Sequence, residues 1–348
     1  MANTNTESMA RSLLLGAVGD ALGRPIEFWP ASRIEDTYGS DAPASLAYHG
    51  EEPAAFSDDT QMTLFMAEGL IRAIEKGVGD QRAEFREEIA QSLLHWLATQ
   101  DGRILGDIDA STSDLLDVEQ LHVQRGPGNT CLSSCRHIYR QGALPDLDNR
   151  INDSKGCGAV MRSAPFGLAA ESARQAFDWA RDSGVLTHCH PSGYLSAGYL
   201  SAVICEISRG SALDEAMDVA DELLDDEPGS DETQEAVANA RRAASGGTLS
   251  FESLVELGDG WVGEEALAMG LACAMAADCS DDESICQTMW LAVRHSGDSD
   301  STGSIAGHLI GAMATEAAMP DDWLEELELR ELIGDCAEQL ADASSSAP

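Results

Sequence analysis

The sequence predicts an all-α protein, a single large orthogonal helical bundle. Three observations carry this. Apolar residues recur at helical spacing from end to end, and period-2 alternation is nearly absent. The composition is 43% hydrophobic but only 5% aromatic, so Ala, Gly and Leu carry the packing, a mix that favours helices over sheets. No linker-like stretch divides the 348 residues, a length that suits one large domain or two ordinary ones. The expectation is therefore one domain over 1–348, with a core over about 10–343 and a frayed tail at 344–348.

The elements follow in order. Residues 11–22 read as a helix rich in Leu, Ala and Gly that breaks at Gly23-Arg24-Pro25. Ile26-Glu27-Phe28-Trp29-Pro30 is a loop holding an acid between apolar residues, and 36–56 is loop-like. Residues 60–76 are apolar nearly all round in their first half, the mark of a buried helix. Residues 82–99 are amphipathic, 100–130 irregular, and Arg125-Gly126-Pro127-Gly128 turns the chain into a helix from Cys131. A small-residue loop spans 152–162. Helices are then expected at 172–183, at 191–208 with Pro191 in the first turn, and at 212–224 and 233–244, which look acidic and exposed. Further helices fall at 264–277, 284–294, 301–313 and 322–343. The helix at 301–313 carries Gly303, Gly307 and Gly311 at every fourth position, a smooth strip against which a neighbour can pack closely.

Charge excludes several functions. There are 61 acids against 21 bases, a net charge of −40, which repels nucleic acid and anionic membranes. No run approaches the length of a membrane span. The polar start lacks the apolar core of a signal peptide, so the cytoplasm is the expected compartment. Nine scattered cysteines agree, mostly as small hydrophobes. Cys131 and Cys135 have half the spacing of a zinc site, but no second pair completes it.

Two oxygen-rich clusters stand at the mouths of buried helices. Phe56-Ser57-Asp58-Asp59-Thr60 precedes one, and Ser296-Gly297-Asp298-Ser299-Asp300-Ser301 precedes the other. Asp and Ser oxygens suit hard cations. Asp58 and Asp59 diverge by about 100° on a helix, so each favours a different cation. Adjacent acids also stand at 225–226, 281–282 and 321–322, but in polar surroundings. Carboxylates beside apolar helices are costly unless ligated. Capping of the two helices is the plain alternative, and both roles can coexist.

Several ordered blocks resemble the ADP-ribosylglycohydrolase family: Phe56 to Met62, Gly156 to Pro165 and His295 to Gly303. Leu15 to Gly23, Thr187 to Pro191 and Gly258 to Ala266 add to them, and the likeness runs from about residue 10 to 315. The resemblance implies an all-α domain with a dinuclear centre of two Mg²⁺, or Mn²⁺. Ser57, Asp58 and Asp59 would ligate from one side, and Asp298, Asp300 and Ser301 from the other. Glu27 matches a glutamate at the metal site. Ser154, Lys155, Gly156, Cys157 and Gly158 match the segment that wraps ADP-ribose, where small residues would let backbone N–H groups approach the diphosphate. His188 matches a substrate-side histidine. Trp29, Trp261 and Phe166 read as core anchors.

The activity implied is metal-assisted hydrolysis of the glycosidic bond between ADP-ribose and a protein side chain or other acceptor, with Glu27 or Asp298 as general base. The expected partner is ADP-ribose or an ADP-ribosylated protein, and the chain is taken as a monomer. Two other readings use the same residues. A metal-dependent phosphoester hydrolase would bring more basic residues to a phosphate clamp. A non-catalytic ADP-ribose-binding relative would have lost ligands, yet all six ligand positions hold oxygen side chains.

Only Lys76 and Lys155 are lysines, and dispersed acid with so little lysine resembles proteins adapted to molar salt. Repulsion reaches about 10 Å in dilute buffer and roughly 3 Å near 1 M salt. The melting temperature should therefore rise from dilute buffer to molar KCl. A flat or falling series would reduce the acidity to ordinary solubility charge.

Overall fold

The computed structural model describes residues 2–246 and 248–346, with side chains from residue 6 onward. Among them sixteen α-helices are joined by turns and short 3-10 segments, and the only strand-like pairings are two isolated bridges. In chain order the helices are α1 (Ala2–Gly23), α2 (Ala31–Tyr38), α3 (Asp58–Glu75), α4 (Arg82–Gln100), α5 (Asn129–Gln141) and α6 (Ala164–Ala169). Then come α7 (Ala173–Val185), α8 (Pro191–Ser208), α9 (Leu213–Asp225), α10 (Asp231–Ala243) and α11 (Phe251–Val255). The last are α12 (Gly263–Ala276), α13 (Asp282–Val293), α14 (Ser299–Met313), α15 (Asp321–Glu326) and α16 (Arg330–Ser346).

One cluster of buried apolar side chains runs from Met9 to Ala343. At its centre α8, α12 and α14 are buried over most of their length. Their small residues replace the missing aromatics. The tightest contact joins α1 to α14. A methyl group on Gly19 would meet the Gly303 carbonyl oxygen at 2.0 Å, and one on Gly307 would meet the Leu15 oxygen at 2.1 Å. Backbone thus lies on backbone, and dispersion contacts are gained without rotamer entropy. Two polar bonds fix the register: Ser12 Oγ donates to the His308 carbonyl at 2.9 Å, and Ser8 Oγ to that of Ala312 at 3.3 Å.

These bonds explain why α1 starts well upstream of the predicted residue 11. Ser8 and Ser12 dock their hydroxyls on α14, so the helix is held upstream of residue 11. The helix expected at 322–343 is broken at Leu327–Leu329. There Ala54 N–H donates to the Glu326 carbonyl at 2.8 Å, and Glu328 N–H returns a bond to Ala54 at 3.0 Å. Glu328 also pairs with Arg125, and Leu329 takes a left-handed φ of 54°. The predicted frayed tail is helical through Ser346; residues 347 and 348 lie outside the described residues. Three short helices, α2, α6 and α11, fall in stretches not predicted as helical. Among the described residues no helix is long and apolar enough to cross a membrane.

Gly307→Ala tests the seam. An exposed helical Gly→Ala change stabilises by up to about 1 kcal/mol, and Gly334→Ala on α16, with open space around it, should do so. Gly307→Ala should instead destabilise by roughly 1–3 kcal/mol through forced separation of α1 and α14. Denaturant melts of both variants decide it; equal shifts would remove the seam's special role.

Candidate metal and ADP-ribose site

The seam brings Asp20, in the last turns of α1, to the start of α3. Its carboxylate accepts from Ser57 N–H at 2.6 Å, Thr60 N–H at 2.9 Å and Thr60 Oγ1 at 2.5 Å. Asp20 therefore holds the Phe56–Thr60 turn in place, while Ser57 Oγ caps α3 through Asp59 N–H at 3.2 Å. At the same end of α1, Gly23 lies against Ser299 and Asp300; a methyl group there would sit 2.4 Å from the Ser299 carbonyl. Asp298 caps α14 through Ser301 N–H at 3.4 Å, and its own N–H donates to the Asp259 carbonyl at 2.8 Å. Both acidic turns therefore cap their helices and also face each other.

Glu27, Asp298 and Asp300 each offer a carboxylate oxygen within 4.8 Å of the other two. Asp58, Asp59 and Asp20 complete the cluster, since the charge on Asp300 raises the pKa of each. Burial is the first cause throughout and repulsion from Asp300 the second. Together they push Asp20 up to about 6 and Glu27 up to about 9. Asp58, Asp59 and Asp298 are held well above the usual carboxylate range by the same two causes. Asp59 Oδ2 is buried with no hydrogen-bond partner. Among the described residues none of the six makes an ion pair, and the nearby Arg24 pairs with Glu51 instead. Oxygen donors, an orphaned carboxylate oxygen and uncompensated negative charge fit a divalent cation. A groove of about 1020 Å³ on another face, between Glu68–Gly77 and Leu332–Ser346, contains none of these carboxylates, so charge and not volume locates the chemistry.

The loop at 154–158 closes one side. Cys157 donates its thiol to Asp298 Oδ2 at 2.9 Å, and Ser301 Oγ faces that sulfur at 3.6 Å. Gly156 and Gly158 lie against His188, where a methyl group on Gly158 would meet Cε1 at 2.9 Å. His188 is buried, bonds Thr187 Oγ1 through Nδ1 at 2.8 Å, and is pushed down to about 3 by burial; it is neutral. Ser154 Oγ bonds Thr130 Oγ1 and accepts from Gly156 N–H at 3.3 Å. Cys157 N–H donates to the Trp261 carbonyl at 3.3 Å. Two amides that the sequence offers to a diphosphate are thus committed within the protein. Lys155 turns its ammonium to Glu232 and Glu264, at 2.7 and 2.8 Å, tying the loop to α10 and α12.

Sequence reasoning missed Asp20, although an acid inside a run of small apolar residues was its signal. It also misjudged Trp261, which is 39% exposed, and passed over Phe28, 74% exposed. Trp29 is partly buried and Phe166 fully so.

The pH dependence follows by linkage. Each raised carboxylate binds more protons folded than unfolded, so stability falls as pH rises toward its folded value. Buried His188, pushed down to about 3, and His295 and His308, pushed down to about 4, oppose this only below their ordinary value of 6.5. In chelator, the melting temperature should therefore fall from about pH 6.5 to about pH 9. Excess Mg²⁺ should raise it, increasingly so at high pH, because ligation displaces protons. A metal-free melting temperature that climbs over this range would contradict the cluster's charge.

The sequence pattern of the ADP-ribosylglycohydrolase family matches residues 1–348. The chain is 25% identical over 335 residues to the ADP-ribosylarginine hydrolase Tri1 of Serratia proteamaculans, covering 95% of this chain and 78% of that protein. It is 24% identical over 333 residues to an ADP-ribosyl-dinitrogen reductase glycohydrolase of Rhodospirillum rubrum, covering 95% and 94%. A solved structure described as an ADP-ribosylglycohydrolase-related protein complex has a TM-score of 0.63 at 22% identity, over 98% of this chain and 99% of that one, a likeness of fold. The chain belongs to the ADP-ribosylglycohydrolase family.

Proposed function

We propose that this protein is a metal-dependent hydrolase that cleaves the bond between ADP-ribose and a protein side chain. The observation that carries the reading is the buried, unpaired carboxylate cluster in a chain of this family. Ser57, Asp58 and Asp59 would hold one side of a two-cation centre, Mg²⁺ or Mn²⁺. Asp298, Asp300 and Ser301 would hold the other. Such a centre supplies charge that orients the ribose hydroxyls and acidifies the attacking water.

The chain's own residues do the rest. Asp20 fixes the backbone that carries Asp58 and Asp59. The small residues 156–158, with neutral His188 behind them, form the wall along which the diphosphate lies. Glu27 sits half-buried on a short turn, and its carboxylate makes no hydrogen bond among the described residues; burial and the charge on Asp300 push it up to about 9, and bound cations would return it to the carboxylate form that accepts a proton. Asp298 is already engaged by Cys157 and by its capping bond. Glu27 is therefore the group that takes the proton of the attacking water as the C1″ bond breaks through an oxocarbenium-like state. Nine free cysteines suit a reducing compartment, and we place the enzyme in the cytoplasm.

The test is release of ADP-ribose from ADP-ribosylated arginine and serine peptides, with and without chelator, with phosphate release measured alongside. Asp58→Asn and Asp300→Asn should stay folded but lose most bound metal and turnover. Glu27→Gln should retain metal and melting temperature while kcat falls by about 10²–10⁴-fold. Full turnover in strong chelator, or phosphate released in place of ADP-ribose, would sink the reading.

A further inference from the structure

Arg162 is fully buried and makes no ion pair among the described residues. Its Nε has no hydrogen-bond partner. A buried guanidinium without a carboxylate is costly, and this one takes no part in the site described above. Its other N–H groups are all engaged. Nη1 donates to the Gly158 carbonyl. Nη2 donates to Thr187 Oγ1 at 2.8 Å and more loosely to the Ser183 carbonyl at 3.4 Å. Thr187 Oγ1 in turn lies 2.8 Å from His188 Nδ1. A relay therefore runs from Arg162 through Thr187 to His188, the neutral ring behind the 156–158 wall.

The direction of the relay follows from its donors. A guanidinium stays protonated and only donates, so Thr187 Oγ1 accepts from Nη2. The single proton of that hydroxyl then has two acceptors within reach. One is the Gly184 carbonyl at 3.4 Å, which already accepts from Thr187 N–H at 3.0 Å and His188 N–H at 2.8 Å. A carbonyl has two lone pairs, and both are taken. The other is His188 Nδ1 at 2.8 Å. The hydroxyl proton goes to Nδ1, and the ring's own proton sits on Nε2. Each donation polarises the next and strengthens it. Nε2 faces the two glycines of the wall: a methyl group on Gly156 would lie 3.4 Å from it, and one on Gly158 3.2 Å. The absence of a β-carbon at both positions clears the space before this nitrogen.

We propose that Arg162 and Thr187 are positioning residues that hold His188 in the tautomer with its proton on Nε2, so that the ring presents a neutral N–H donor to a phosphate oxygen of ADP-ribose. This deepens the hydrolase reading and rests on it. In a chain of net charge −40, a diphosphate needs donors at the wall. The amides of Gly156 and Cys157 are committed within the protein, and Lys155 is turned to Glu232 and Glu264. A neutral imidazole in the other tautomer would aim a lone pair at the phosphate and repel it. The relay excludes that tautomer without charging the ring.

The experiment uses the full chain with Mg²⁺, its histidine rings labelled with ¹⁵N, and calorimetric binding of free ADP-ribose. Proton–nitrogen correlation spectra at neutral pH report the tautomer, and the His188 signals are identified by their loss in His188→Gln. Wild type should carry the proton on Nε2. Thr187→Val keeps the shape but removes the hydroxyl, so the proton should redistribute between the two ring nitrogens. The Kd for ADP-ribose should then rise by roughly 5–30-fold, while that for Mg²⁺ stays within about twofold. Thr187→Ser should restore both the tautomer and the affinity for ADP-ribose. A wild-type proton on Nδ1 would overturn the proposal. So would Thr187→Val with its tautomer unchanged, or with the tautomer changed and the affinity intact; all of these leave the hydrolase reading standing. Wild type that binds no ADP-ribose would remove that reading and the proposal with it.

Discussion

The structure depends on the approach of two backbones. Helices α1 and α14 meet through glycines, with Gly19 on Gly303 and Gly307 on Leu15, so closely that no β-carbon fits between them. Side-chain packing would hold the axes at about 8–10 Å. This seam sets the distance between the end of α1 and the start of α14, and so the spacing of Asp20 and Asp300. Helices α3, α8, α12, α13 and α16 pack against this pair.

What the seam assembles is unfavourable in isolation. Six carboxylates in one buried cluster repel one another, and burial deprives them of water. The fold tolerates them because each sits on a backbone with little freedom: Asp58 and Asp59 in a first turn bonded to Asp20, and Asp298 in a capping turn bonded to the Asp259 segment. Rigidity matters for binding as well. Carboxylates held apart in advance would need no reorganisation to receive a cation.

Much of this was legible because it is local. Ser57-Asp58-Asp59 and Asp298-x-Asp300 each lie within one turn, and the apolar helices behind them mark their burial. Glu27 was legible from its apolar neighbours. Asp20 was not, since its role is to accept bonds from a turn far away in sequence. The direction of Lys155 depends on Glu232 and Glu264 arriving from separate helices. Phe28 escaped notice because hydrophobic residues are read as core, and only the left-handed backbone sends this one outward. The break at Leu327 was hidden for the same kind of reason. Helical periodicity continues through it, but Ala54 competes for its backbone bonds.

The seam also has a consequence for synthesis on the ribosome. Ser12 and His308 stand 296 positions apart, so α1 emerges long before the helix it packs on. At the usual pace of translation that interval is roughly 15–60 s. Throughout it the glycine face of α1 lacks its mate, and the acids of α1 and α3 lack those of α14. The intervening helices can pair among neighbours, but the closing contact carries the full loop-closure entropy of the chain between them. The carboxylate cluster is therefore among the last features to form, and a chain stalled before Ser299 holds only part of it.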